Sequence, residues 1–235
     1  LAGGGIVAIK GLGGFHLACD ATNEQAVREL RRRKRRSNKP LAVMVRDLAD
    51  AERLCHIDGV ERNLLAGSVR PIVLLRRRAT GNDAYGSPDA PELAPSVAHD
   101  LPELGVMLPY TPLQHLLLAA AASHDMHALV MTSGNLSEEP IETDDALAWE
   151  HLVAAGIADA LLGNDRAILS RYDDSVVRVV DGVVMPVRRA RGYAPQPLPL
   201  PALDAAPSCV LACGPQQKAT IAFTREDANG EAACF

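Results

Sequence analysis

Two short stretches carry residue types that suit one piece of chemistry. Lys34-Arg35-Arg36 offers two cations at i and i+2, and Ser133-Gly134-Asn135 offers a hydroxyl and an amide at the same spacing. An ammonium point charge, a forked guanidinium and small polar donors together suit a polyphosphate, whose oxygens must be neutralised and oriented. Each stretch alone is ordinary, because basic runs coat solvated faces and Thr-Ser-Gly-Asn is turn chemistry. A second cationic group, Arg188, Arg189 and Arg191, follows an apolar β-branched run. Two basic clusters in an acidic chain predict a field focused on an anionic substrate.

Other chemistries find no foothold. There is no Walker phosphate loop, and Gly11, Gly13 and Gly14 miss the dinucleotide fingerprint because His16 stands at its last glycine position. His124 and His127 stand i, i+3 without further ligand spacing, which reads as a solvated turn rather than a metal pair. No serine elbow or cysteine–histidine pair competes. The cysteines at 19, 55, 209, 213 and 234 include no Cys-x-x-Cys pair, so neither a disulfide framework nor a zinc ribbon is expected, and a reducing cytoplasm fits.

Composition narrows the class further. With 235 residues and 48% hydrophobic content the chain can bury one good core and part of a second. A net charge of −5, with one Trp, four Tyr and three Phe, argues against a dedicated RNA binder, which needs cations for counterion release and platforms for stacking. The longest apolar stretch, Leu116 to Ala122, is too short to cross a bilayer, where about 20 residues are required. No signal-peptide pattern opens the chain. It starts at Leu1, and 232–235 reads as a strand cut mid-course, so a piece of a longer protein is expected.

The elements that must position these residues follow from pattern. Gly5 to Ile9 predicts a buried strand, and Gly11 to His16 a flexible loop. Thr22-x-x-Gln25 predicts a capping box opening a helix that runs into Arg31–Arg36. Residues i and i+2 share no helix face, so joint action of Lys34 and Arg36 requires the helix to end near Arg33, and Pro40 is consistent with that. Strands are expected at 41–45, 71–75, 128–131, 157–162, 175–180 and 183–187, with Asp181-Gly182 as a tight hairpin turn. Helices are expected at Asp47–Leu54, from Thr111-Pro112 to Ala122, and after Thr143, with 79–95 as a loop. The strand at 128–131 delivers Ser133 and Asn135 at its carboxyl end, where open α/β sheets place their ligand crevices. Prolines 195, 197, 199, 201 and 207 predict an extended linker, and 208–235 resembles one hairpin.

Several ordered motifs resemble one family. Lys10-Gly-Leu-Gly-Gly-Phe-His-Leu-Ala-Cys-Asp20, Arg33-Lys-Arg-Arg36 with Lys39-Pro-Leu-Ala-Val-Met44, and Leu104-Gly-Val-Met-Leu-Pro-Tyr-Thr-Pro112 are similar to the YrdC-like domain of the HypF hydrogenase-maturation carbamoyltransferases. The likeness continues through Met131-Thr-Ser-Gly-Asn-Leu-Ser137, Arg171-Tyr-Asp-Asp-Ser175 and Arg188-Arg-Ala-Arg-Gly-Tyr-Ala-Pro195, covering roughly residues 3 to 195. The resemblance implies an α/β fold, a YrdC-like twisted mixed β-sheet flanked by helices with an open basic concave face. It implies a YrdC-like nucleotide-binding domain over 1–192, a Pro-rich linker over 193–207, and over 208–235 the start of a downstream TsaD-like carbamoyltransferase domain.

The activity so implied is formation of carbamoyl-AMP and pyrophosphate from ATP and carbamate, itself derived from carbamoyl phosphate, with Mg²⁺ on the phosphates. The carbamoyl group then passes to a cysteine of a HypE-type acceptor protein. The Lys-x-Arg and Ser-x-Asn elements carry over onto Lys34, Arg36, Ser133 and Asn135 as phosphate and nucleotide contacts, with Lys34 and Arg36 catalytic. Ser175, Arg188 and Arg191 match later nucleotide-contacting positions, although the adjacent arginines leave open which of them meets phosphate. Lys10 and His16 are candidates for the carbamate side. The downstream segment reads Gly214-Pro-Gln-Gln-Lys218-Ala-Thr220, where the family carries a Gly-Gly-x-x-Lys-Asn-Thr-like stretch. Three alternatives stay open: a threonylcarbamoyl-AMP synthase for tRNA modification, an antibiotic O-carbamoyltransferase and a non-catalytic RNA-binding module. Against the first, the Gly-Leu-Gly-Gly-Phe-His loop replaces the Thr-Glu-Thr/Ser-Val-Tyr-Gly pattern of the synthases.

Overall fold

The apolar opening run forms β1 (Val7–Lys10), and the segment expected as a flexible loop turns back at once into β2 (Phe15–Asp20). The turn is tight. The Gly11 N–H donates to the Gly14 carbonyl at 3.0 Å, a Cβ on Gly13 would run into the Tyr172 ring, and one on Gly14 would strike Ile141. Close approach of backbone, rather than freedom, is what these glycines supply.

Helix α1 (Glu24–Lys34) starts one residue later than the Thr22 box predicts. Asn23 accepts from the Ala26 N–H at 3.0 Å, while the Thr22 hydroxyl donates to Asp20 at 2.8 Å. The helix ends in a Schellman motif: Arg36 N–H reaches the Arg31 carbonyl at 2.9 Å and Arg35 N–H the Arg32 carbonyl at 3.2 Å, with Arg35 left-handed at φ 54°. Arg36 therefore leaves the helix, as joint action with Lys34 requires.

The computed structural model describes residues 1–78, 92–137, 139–200, 209–214, 221–226 and 232–234, and the chain divides into Leu1–Gly192 and Tyr193–Phe235. In the first unit follow β3 (Ala42–Val45), α2 (Leu48–Leu54), α3 (Gly59–Ala66) and β4 (Ile72–Arg76). Helix α3 was not anticipated, although Asp58 and Glu61 form a capping box at its start. Of the expected loop 79–95, residues 79–91 lie outside the described residues. Next come β5 (Glu103–Met107), also unanticipated, α4 (Pro112–Ala122), β6 (Ala128–Ser133), α5 (Asp145–Ala148), β7 (Ala160–Leu162), β8 (Val176–Val180) and β9 (Val183–Arg188). Asp181 and Gly182, at φ 50° and 77°, make the expected hairpin turn.

The strands form one mixed sheet in the order β7-β1-β2-β6-β3-β5-β4-β8-β9. β1 with β7, β3 with β5 and β4 with β8 run parallel, and the remaining neighbours antiparallel. A mixed sheet flanked by helices is the fold class expected. Ile9, Ala18, Met44, Met107 and Met131 join Leu118 and Ala121 of α4 in one buried apolar layer. Among the described residues no helix is long and apolar enough to cross a membrane.

The second unit contains β10 (Leu198–Pro199), β11 (Leu211–Cys213), β12 (Ile221–Glu226) and β13 (Ala232–Cys234), all antiparallel in the order β10-β13-β12-β11. The proline segment expected as linker thus lends a strand, with Leu198 and Pro199 opposite Cys234 and Ala233. Three strands rather than a single hairpin follow it. Residues 201–208 of the linker region and 215–220 of the Lys218 stretch lie outside the described residues.

Candidate functional site

Strand β6 ends at Ser133, and the chain beyond it folds over the C-terminus of α1. The Lys34 ammonium, 1% exposed, donates to the Ser133 carbonyl at 2.5 Å, the Asn135 carbonyl at 2.6 Å and the Asn135 Oδ1 at 2.8 Å. Ser133 Oγ donates to the same Oδ1 at 2.6 Å, and Asn135 Nδ2 donates to the Glu139 carbonyl at 2.5 Å. Ser137 ties the loop to the helix end, its N–H bonding the Lys34 carbonyl and its hydroxyl the Arg35 carbonyl. Gly134 is required where the chain crosses β2, since a Cβ would stand 2.8 Å from Phe15. The structure therefore brings Lys34, Ser133 and Asn135 into direct contact. An ammonium set among oxygens holds a positive centre inside the loop.

His16 is the cross-strand partner of Ser133 on β2 and β6, which puts both side chains on one face of the sheet. Its Nε2 lies 3.0 Å from Asp174 Oδ2, and Asp174 Oδ1 accepts from Arg191 Nε at 2.8 Å. Burial alone would raise the Asp174 carboxyl, but the bonds and charges of His16 and Arg191 outweigh it and hold it well below the usual carboxylate range. The Arg191 guanidinium also donates to the carbonyls of Val69 at 2.8 Å and Arg70 at 2.7 Å, and stacks 3.5 Å from the centre of the Tyr110 ring. Burial, then the Asp174 charge, pushes the Tyr110 hydroxyl up.

Ser175, fully buried, donates its hydroxyl to the Arg191 carbonyl at 2.9 Å and accepts from the Ala190 N–H at 2.8 Å. The polar groups of Ser175 and Arg191 are thus engaged in binding segment 173–175 to segment 188–191. Lys10 stands apart from the other candidates. It pairs with Phe15 rather than His16, so strand alternation turns it to the opposite face, where it bonds Asp145 at 2.7 Å and the Asn164 carbonyl at 3.0 Å. The register thus puts Lys10 and His16, the two candidates for the carbamate side, on opposite faces of the sheet.

Arg36 and Arg188 are different. Arg36 donates to the carbonyls of Lys39 at 3.3 Å and Pro40 at 2.7 Å, and Arg188 to that of Asp174 at 3.4 Å. Neither meets a carboxylate among the described residues. Burial first, then the positive charges of Arg31 and Arg188, pulls the Arg36 pKa down. The residues that sequence reasoning missed, Arg31, Asp174 and Tyr110, lie within or beside the quoted motifs, but no spacing signals their roles. Cys19 and Cys55 supply no competing nucleophile, since burial pushes both thiols up to about 12.

The Sua5/YciO/YrdC family model, described as "Telomere recombination", matches residues 1–190. The chain is 48% identical to the carbamoyltransferase HypF2 of Cupriavidus necator over 95% of its own length and 28% of that protein's. It also matches a crystal structure of full-length HypF in the phosphate- and nucleotide-bound form, with a TM-score of 0.80 and 40% identity over 100% of this chain and 34% of that one. P. abyssi Sua5 complexed with L-threonine shares the fold, with a TM-score of 0.63 and 16% identity over 80% of this chain and 51% of that one. The chain spans about 28% of the length of the curated relatives it matches. The family model covers most of the chain and the curated relatives agree with it: the chain belongs to the Sua5/YciO/YrdC family and is similar to part of the carbamoyltransferase HypF.

Proposed function

We propose that this chain is the nucleotide-handling part of a HypF-type carbamoyltransferase and converts ATP and carbamate into carbamoyl-AMP and pyrophosphate. The observation that carries the reading is the loop closed on Lys34 by Ser133 and Asn135, with Arg36 two residues beyond Lys34 and Arg188 at the Asp174 carbonyl, neither guanidinium meeting a carboxylate among the described residues. Carbamate is already an anion, so its oxygen attacks the α-phosphorus without a strong base while the bond to the β-phosphate oxygen breaks. The barrier lies in bringing negative groups together, which cations and fixed dipoles lower. In this reading Arg36 and Arg188 take the phosphates, and Lys34 holds Ser133 and Asn135 where nucleotide and carbamate meet. Among the described residues no three His, Cys, Asp or Glu side chains gather to hold a metal, so Mg²⁺ would arrive on the triphosphate oxygens. Onward transfer to the thiol of a HypE-type acceptor belongs, in this reading, to the full-length enzyme.

Pyrophosphate release tests the proposal, with ATP, Mg²⁺ and ammonium bicarbonate, which supplies carbamate by equilibrium. The chain should release pyrophosphate only when ammonium is present. Arg36→Ala and Arg188→Ala should each raise the KM for ATP about tenfold or more, the loss of one charged hydrogen-bonding partner, with circular dichroism unchanged. Release driven by threonine plus bicarbonate instead would overturn it in favour of a threonylcarbamoyl-AMP synthase.

A further inference from the structure

One buried cation of the basic run has no part in that chemistry. Arg31 is 7% exposed, and its guanidinium faces carbonyl oxygens alone. Nε donates to Ser96 at 2.6 Å, Nη1 to Arg36, Ser37 and Lys39 at 3.1 Å each, and Nη2 to Val97 at 3.2 Å. Ser96 is itself fixed, its N–H and hydroxyl donating to Glu24 at 3.0 and 2.6 Å. Segment 36–40 has neither helix nor strand to hold it. Its carbonyls turn inward onto Arg31, Leu41 N–H closes the far end on the Val97 carbonyl at 2.9 Å, and Arg36 wraps back on Lys39 and Pro40. Only a planar group with five donors fits such a ring of acceptors, because lysine has three donors on a single atom.

We propose that Arg31 is the positioning residue of the anion site: it winds segment 36–40 into the conformation that fixes where the Arg36 guanidinium stands. The inference rests on the proposed reading of Arg36 and adds what places it. A residue that merely stabilised the fold would act regardless of Arg36, whereas a positioning residue acts through it.

A double-mutant cycle separates these roles, with inorganic pyrophosphate as the probe in titration calorimetry and the same chain throughout. Arg31→Lys should weaken pyrophosphate binding about tenfold, and in an Arg36→Ala background it should weaken it no further. An equal loss in both backgrounds, or binding by Arg31→Lys as tight as that of the wild type, overturns the inference. Should Arg31→Lys not fold, Arg31→Gln, which brings a planar amide and no buried charge, runs the same cycle with the same outcomes. Wild-type protein that fails to bind pyrophosphate at all would instead remove the anion site, and the proposed function with it.

Discussion

Arg31 and Arg191 are both buried arginines that hold loops by their carbonyls, yet they are compensated in different ways. Among the described residues Arg31 has five carbonyl partners and no carboxylate within bonding distance, Glu24 acting on it only through space. Arg191 has two carbonyls, the Asp174 carboxylate and the Tyr110 ring. The first is a dipole-held charge, and the second is one member of a buried ion pair. Partners, more than residue type, decide what a cation does here. The same reading separates both from Arg36 and Arg188, whose few carbonyl contacts leave their charge uncompensated.

Four substitutions probe how each of these cations is compensated. Asp174→Asn leaves Arg191 buried without its counter-ion and should cost about 3–5 kcal/mol in urea unfolding at neutral pH. Because the folded Asp174 carboxyl lies below its unfolded value, its contribution is complete above the ordinary carboxylate pKa of about 3.9 and fades as pH falls below it. The gap between wild type and variant should therefore stay level from neutral pH down to about 5 and narrow below about 4; a gap of equal size at every pH would contradict the ion-pair account. Arg31→Met strands no buried charge. Its cost should be smaller, about 1–3 kcal/mol from unpaired carbonyls, with no added pH dependence.

Tyr110→Leu, measured against Tyr110→Phe, tests the ring, because the phenol also hydrogen-bonds Gln114 and Asp174. Loss of the stack on Arg191 should cost about 0.5–2 kcal/mol, read from the urea midpoint at unchanged slope. Arg178→Ala is the reference for exposed pairs, since Arg178 and Glu103 are 44% and 38% exposed, and it should change stability by at most about 1 kcal/mol. If it matched Asp174→Asn, burial would not be what distinguishes these ion pairs.

Local signals made much of the fold legible. Asp47 and Thr111 announced their helices, and Asp181-Gly182 announced the β8–β9 hairpin, because caps and turns act within a few residues. β2 was hidden because Phe15, His16, Leu17, Ala18 and Cys19 are all buried, which removes the alternation that betrays a strand. β5 was short and interrupted by Gly105, and the Asp58–Glu61 box of α3 went unread. At the site, the carboxyl end of β6 and the motif resemblance pointed to Lys34, Ser133 and Asn135, which do meet. The saturation of Ser175, Arg191 and Lys10 was not legible, because it depends on partners such as Val69, Arg70 and Asp145 that only folding brings near.

The strand order also sets a schedule for the nascent polypeptide. β2 lies between β1 and β6, so Cys19 must wait for Val130 before its second hydrogen-bonded neighbour exists. While the ribosome makes the intervening segment, an apolar hairpin is left with a bare edge, open to mispairing with other chains. Pairing of β2 with β6 is thereby a long-range event, of the kind that slows folding by topology.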